Sequence, residues 1–335
     1  MRRLLAAALI ALPLAAHAWR ADGHKTVATI AAGLIKGSPA EARVAELLGD
    51  LSLPLMSIWA DCAKGVAPDK GYTYPAPGKY PECAPLETPE RIAEMADYVR
   101  RNDKQCVMGP DEDSCHKQMH YADVPVQRSQ YRLGTAGTRP DDVVGALRAA
   151  ILALQGKPLP GQPNFKSPRE ALIVLVHLVG DLHQPIHVGS LYLDARGRLL
   201  DPDEQGLDPA SYTIGGNSFS ITPPPATGER NFHSYWDIVP DALRPQQVDA
   251  AWLAEAEKVL PDAGDPADWP VHWAGESLQL AGMAMQGLGF SPKQGERWQV
   301  AFPAGYEARA DAIKRRQLTV AGAHLARLLK TVFPR

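Results

Sequence analysis

The sequence predicts a mainly α protein. Apolar residues recur at helical spacing through its longest segments, capping residues stand where those segments begin, and alternating strand-like runs are almost absent. Residues 22–35 open on an acidic cap, Asp22, and carry Val27, Ile30, Ala31 and Leu34 on one face. Ser167-Pro168-Arg169-Glu170 combines a Ser cap, Pro at the first helical position and Glu three residues after the cap, and so starts the helix "REALIVLVHLVGDLH". Pro185 ends or kinks it. Residues 246–260, 274–288 and 306–333 also read as helices, the last with Ile313, Leu318, Leu325 and Leu329 inward. Pro- and Gly-rich loops occupy 65–89, 156–168 and 188–230, and "SYTIGGNSFSI" in the last of these predicts one small hairpin around Gly215-Gly216. Helices carrying the core, with long loops decorating one face, is the expected architecture.

The chain has 335 residues, 45% hydrophobic and 22% charged, enough to bury a substantial core. Its first residues read as a secretory leader: Arg2 and Arg3 form a basic start, residues 4–15 an apolar run, and Ala16-His17-Ala18 a small-x-small cleavage site. Cleavage after Ala18 divides the chain into a leader, 1–18, and a mature domain, 19–335, that begins at Trp19 and is secreted or periplasmic. The apolar run is shorter than the roughly 20 residues of a spanning helix, and no later stretch replaces it, so no membrane anchor is expected. The formal charge of −3 becomes −5 when Arg2 and Arg3 leave, since 35 basic residues less two face 38 acidic ones. No basic tail or stripe is present to wrap duplex nucleic acid.

Four cysteines in an exported chain predict two disulfides. Three pairings are possible. The one closing the shortest loops joins Cys62 with Cys83 and Cys106 with Cys115. No CxxC pair is present to suggest a thiolate metal site.

The ten histidines gain meaning from their neighbours. In "HLVGDLHQPIH", His177 and Asp181 are four apart on one helix face, able to reach one ion, and His187 follows past Pro185. The HxxxD spacing returns in "NFHSYWD" as His233 and Asp237. Imidazole with carboxylate is a zinc-type ligand set, and a hydrolytic site also needs an open position for water. Asp61 in "IWADCAK" and His120 in "MHYADVP" are further candidates.

Six ordered motifs, "WRADGHK", "WADCAK", "HYADVP", "HLVGDLHQPIHVG", "GGNSFSI" and "NFHSYWD", run through the whole mature chain and resemble those of the S1/P1 nucleases, secreted zinc-dependent enzymes that cut single strands. The resemblance implies the compact helical fold shared by zinc-dependent phospholipase C and P1 nuclease, with a catalytic domain over 19–335. It implies three zinc ions: one on Asp61, His120, His177 and Asp181; a second sharing Asp181 and taking His24 with the amino nitrogen and carbonyl oxygen of Trp19; a third on His187, His233 and Asp237. A free α-amine with a pKa near 8 can lose its proton to a metal, whereas an amide nitrogen is a poor ligand, so Trp19 marks a ligand made by leader cleavage.

By the same resemblance Asp61 and Asp181 serve catalysis through the metals, Lys64 is the basic residue near the phosphate, Asn217 a polar phosphate contact, Tyr121 the aromatic on which a base stacks, and Asp123 the carboxylate at the base edge. The implied substrates are single-stranded DNA and RNA and 3′-nucleotides, cut at the P–O3′ bond to leave 5′-phosphates. A monomer without a stable protein partner is expected. His183 orients a neighbour, His116, His272 and His324 are structural or surface residues, and His17 leaves with the leader.

Zinc-dependent phospholipase C enzymes share the helical fold, amino-terminal Trp and HxxxDxxxxxH motif, but their final ligand is Glu where Asp237 stands here. A non-catalytic zinc-stabilised envelope protein is the other alternative. Structural zinc sites are usually closed and often thiolate-rich, unlike this set of carboxylates, imidazoles and an amine. Residues 188–230 exceed the connection usual in the nucleases, with "LYLDARGRLLDPDEQGLDPAS" as the extra material.

Overall fold

The computed structural model describes residues 19–75, 77–103, 114–159 and 163–335; the leader 1–18 and Cys106, with its expected bond to Cys115, lie outside them. Helices α1 (Arg20–Ile35), α2 (Pro39–Leu48), α3 (Leu53–Met56), α4 (Trp59–Ala63), α5 (Pro89–Asn102) and α6 (Cys115–Gln118) precede strand β1 (Val124–Pro125). Then come α7 (Val143–Leu154), α8 (Pro168–Leu182), β2 (Gly189–Ser190), α9 (Pro202–Gln205), β3 (Phe219–Ile221) and α10 (Phe232–Asp237). The chain continues through α11 (Ala250–Ala256), α12 (Trp269–Met285), β4 (Gly289–Phe290), β5 (Trp298–Ala301) and α13 (Tyr306–Val332). The mainly α class holds, with small β elements.

Helix α8 follows its sequence signals: Ser167 Oγ accepts from the Glu170 N–H, Pro168 opens the first turn, and the helix stops at Leu182 before a 3-10 turn, Pro185–His187. Helix α1 starts two residues early. Trp19, not Asp22, is its N-cap, and Asp22 lies in the first turn, where a negative charge favours the helix dipole. The helix expected over 246–260 is broken, because a 3-10 turn at Pro245–Gln247 is followed by Asp249, whose carboxylate accepts from Trp252 N and caps a short α11. Helix α12 begins at Trp269, ahead of the expected 274, with Pro270 in its first turn. Helix α13 matches its expected span to within one residue and buries Ile313, Leu318, Leu325 and Leu329.

The stretch around Gly215-Gly216 corrects the expected pairing. Its second arm, β3, lies parallel to β5 in the register Phe219 with Trp298, and the antiparallel pair is β4 with β5. Ile214, Gly215 and Gly216 are all left-handed, so the segment forms a turn that carries the chain across His233 instead of closing a hairpin.

Two apolar cores result. The larger gathers Val27 and Ile30 of α1, Leu172 and Leu175 of α8, and Leu318, Leu325 and Leu329 of α13. The smaller contains Phe219, Phe232, Trp236, Trp298 and Tyr306. Each large apolar side chain so buried contributes roughly 1.5–3 kcal/mol. Packing of this kind, more than helix propensity, holds an element as short as the six-residue α10. Among the described residues no helix is long and apolar enough to cross a membrane.

Candidate metal centre

Helix α8 is buried from Glu170 to Leu182, and its last turns bring His177 and Asp181 to one face. His177 Nδ1 donates to the Ser57 carbonyl at 2.7 Å, which leaves the Nε2 lone pair aimed inward. Facing it are His120 Nδ1 at 3.0 Å, Asp181 Oδ2 at 3.1 Å and Asp61 Oδ1 at 3.5 Å. His120 Nδ1 is also 2.8 Å from Asp181 Oδ2. The His24 ring stacks on His177 with centroids 3.9 Å apart, and its Nε2 stands 3.4 Å from Asp181 Oδ1 without the alignment of a hydrogen bond. Neither ring nitrogen of His24 nor Asp181 Oδ1 has a hydrogen-bond partner among the described residues, although all three atoms are buried. Buried orphan donors and acceptors are costly, and a cation between them removes the cost.

The close approach behind this cluster depends on Gly180. A Cβ there would lie 2.6 Å from His24 Nδ1, so only glycine lets the α1 imidazole rest on the α8 backbone. At the amino end of α1, Trp19 is fully buried in a left-handed conformation, φ +34°, that is rare for a bulky residue.

A third group lies past Pro185. His187 Nδ1 donates to the His120 carbonyl at 3.1 Å and His233 Nδ1 to the Gly215 carbonyl at 2.9 Å. With a single N–H on each imidazole, both N–H groups are spent on these carbonyls, yet the two Nε2 atoms face each other at 3.0 Å. Two lone pairs cannot hydrogen-bond; a cation between them can bind both. Asp237 completes the group, Oδ1 lying 3.8 Å from His187 Nε2 and Oδ2 3.6 Å from His233 Nε2, and Gln184 Nε2 fixes its Oδ1 at 2.8 Å. The donor atoms of His24, His177 and Asp181, of Asp61, His120 and His177, and of His187, His233 and Asp237 each fall within 4.8 Å of one another. His177 thus serves both of the first two groups by distance.

Most of the protonation states suit metal binding; at His177 burial lowers the pKa but Asp181 and Asp61 more than reverse it, so a metal there displaces a proton. Burial alone would raise the Asp181 carboxyl, but His177 and His120 hold it well below the ordinary range. Burial, followed by Lys64, pushes His120 down to about 3, and burial keeps His187 neutral too. Asp237 differs: burial raises it to about 6 despite the opposing pull of His233 and the Gln184 hydrogen bond.

Helix α4 carries Asp61 and ends at its C-cap, Lys64, whose Nζ lies 2.8 Å from Asp61 Oδ1. Burial lowers the Lys64 pKa, but Asp61 and Asp181 more than reverse the effect, so it stays a cation. The disulfide between Cys62 and Cys83 is present as expected and ties this helix to the 65–89 loop. Tyr121 and Asp123, half-buried, follow His120. The Arg139 guanidinium lies 5.2 Å over the Tyr121 ring. Burial raises the Asp123 carboxyl, opposed by Arg139 and His233 and by hydrogen bonds from Ser190 and the Gly215 N–H. Asn217 Nδ2 donates to Ile214 O at 3.1 Å, so part of its side chain closes its own turn.

Every metal-ligand candidate read from the sequence therefore comes to this centre or, for Trp19, to the end of the helix beside it. Gly180, Ser57, Gln184 and Arg139 were not singled out from the sequence. A glycine inside the apolar helix "LVGDL" was a signal for Gly180, since such a residue costs about 1 kcal/mol against Ala unless something packs closely there. His183 does not orient a ligand ring; it bonds the Val179 carbonyl and His324. His116 and His324 are buried structural residues and His272 is exposed.

One protein-family model, that of S1/P1 Nuclease, matches residues 19–334, nearly the whole chain. No curated protein sequence matches the chain.

Proposed function

Since the chain belongs to the S1/P1 nuclease family, we propose that it is a zinc-dependent phosphodiesterase that hydrolyses single-stranded DNA and RNA at the P–O3′ bond, leaves 5′-phosphates, and also acts on 3′-nucleotides. The convergence of the His187 and His233 Nε2 lone pairs on one point, with both N–H groups committed elsewhere, carries this reading. Three zinc ions fit the donor sets: Asp61, His120, His177 and Asp181 for one, His24, Asp181 and the Trp19 amine and carbonyl for another, His187, His233 and Asp237 for the third. When bound, zinc supplies Lewis acidity, lowering the pKa of water and stabilising charge on oxygen.

The chain's own groups do the rest. Ser57, the His120 carbonyl, Gly215 and Gln184 lock the ligand tautomers and rotamers. Lys64, an assured cation, faces the charge that grows on phosphorus-bound oxygen as water oxygen bonds to phosphorus, the P–O3′ bond breaks and O3′ takes a proton. Tyr121 offers a stacking face that any unpaired base can use, which favours single strands, and Asp123 accepts from the base edge. Asn217 lies at the phosphate.

Residues 19–335 act as one catalytic domain, exported to the periplasm or medium as a monomer after removal of 1–18. The family match starting at Trp19 supports that boundary. The test is product analysis on single-stranded DNA, RNA and a phosphatidylcholine analogue, with the amino terminus sequenced. The account expects 5′-phosphate ends from both nucleic acids and a chain beginning at Trp19. Cleavage of the phospholipid analogue alone would instead make this a phospholipase, and 3′-phosphate ends would exclude the proposed bond.

A further inference from the structure

Lys314, on α13, is buried, with 2% of its surface exposed, and no part of the hydrolysis above uses it. An ammonium removed from water costs several kcal/mol unless its surroundings replace the lost hydration. Here Nζ donates to the Tyr235 carbonyl at 2.7 Å and the Ile238 carbonyl at 2.6 Å, and lies 4.5 Å from the Tyr235 ring centre. Those carbonyls belong to the C-terminal end of α10, where helix carbonyls lack partners and the dipole is negative. On the same short helix are His233 and Asp237.

Helix α10 has further anchors along its length. Asn231 caps Ser234 N, His233 is tied to Gly215, and Trp236 Nε1 donates to the Tyr306 hydroxyl at 2.9 Å. Only three residues beyond Lys314, Gln317 Nε2 donates to the His183 carbonyl at 2.8 Å, at the end of α8. One face of α13 thus reaches the C-terminal ends of both helices that present an HxxxD pair. A neutral apolar side chain at 314 would take this donor from the buried Tyr235 carbonyl and the half-buried Ile238 carbonyl and let the last turn of α10 relax.

We propose that Lys314 is a positioning residue for the third metal group, fixing the C-terminal turn of α10 so that His233 and Asp237 meet the same ion as His187. This rests on the zinc-binding reading above. Outer residues that orient metal ligands typically change affinity 10–100-fold when removed.

The test compares the zinc-loaded mature chain with Lys314→Met, Lys314→Gln and Lys314→Arg, reading zinc per chain, competition with a chromogenic chelator, and thermal unfolding. Wild type should hold about three zinc ions. Lys314→Met should weaken one of them 10–100-fold and leave two unchanged, with Lys314→Arg recovering most of the loss. Should Lys314→Met not fold, Lys314→Gln carries the same expectation. A folded variant without the ammonium that holds all three ions as wild type does would overturn the proposal, and so would equal weakening of all three. If no variant folded, Lys314 would be a residue of the fold and the proposal would fail. A wild-type chain that binds no zinc would sink the functional reading itself, an outcome distinct from these.

Discussion

The two halves of the metal centre are built differently. His24, His177 and Asp181 sit on α1 and α8, helices of 16 and 15 residues rooted in the larger core. His187, His233 and Asp237 sit on a 3-10 turn and a six-residue helix beside the smaller core. In the first half, ligand placement follows from helix geometry and one close approach at Gly180. In the second, no element is long enough to fix its own ligands, and hydrogen bonds from Gln184 and Lys314, and to the Gly215 and His120 carbonyls, do so instead. Rigidity inherited from a core is cheap to keep; rigidity assembled from single hydrogen bonds is lost one bond at a time.

The comparison breaks most visibly at Asp181, whose two oxygens face His24 on one side and His120 and His177 on the other. Asp181→Asn should cost more than the roughly 10²–10³-fold in kcat that loss of one electrostatic group costs, together with zinc from the first half. Near-native turnover with full zinc content would remove Asp181 from the centre.

Two glycine substitutions probe the halves separately. Gly180→Ala drives a methyl toward His24 and should weaken zinc in the first half roughly 10–100-fold. Gly215→Ala combines φ +54° with a Cβ 2.8 Å from the Ile186 carbonyl. It should destabilise the chain by about 1–2 kcal/mol and weaken only the third ion. Zinc competition on both variants decides this; a Gly215→Ala chain that loses first-half zinc would erase the distinction.

Tyr121 lies outside both halves and serves as the control. Tyr121→Ala should raise KM on single-stranded DNA by the equivalent of roughly 1–3 kcal/mol and leave zinc content alone. An equal effect on an activated phosphodiester lacking a base would make Tyr121 a packing residue.

The smallest effect expected is acid sensitivity. In the metal-free chain Asp237 is raised to about 6, so protons occupy it as pH falls through that value; Asp181 stays charged and His120, at about 3, stays neutral, but His177, which burial lowers and Asp181 and Asp61 raise above its ordinary value, also holds a proton. Protons therefore compete with metal in both halves, at Asp237 and at His177. Between pH 7 and pH 5 zinc affinity should fall about tenfold in each half. A zinc affinity independent of pH in either half would contradict this.

How much of this was legible in the sequence divides along the same line. Spacing alone placed His177 with Asp181 and His233 with Asp237, because i,i+4 residues share a helix face whatever surrounds them. The Ser167 cap and the span of α13 were equally local and equally readable. What escaped was long-range: Gly180 meets His24 across the chain, the second arm of "GGNSFSI" pairs with β5 some 80 residues on, and Lys314 and Gln317 are ordinary polar residues in the pattern of an amphipathic helix until the partner carbonyls are seen. The interrupted segment before α11 failed for a different reason, since a cap inside a continuing apolar period looks like one longer helix. Helices α2, α5 and α7 open on Ser38-Pro39, Thr88-Pro89 and Asp142, start signals that were present and unused.

The most direct test is zinc itself. Metal analysis of the mature chain, with hydrolysis of single-stranded DNA followed through chelation and stepwise return of zinc, should find about three ions per chain, no cleavage once they are removed, and activity that returns as zinc is restored. Full cleavage by a zinc-free chain would contradict the account.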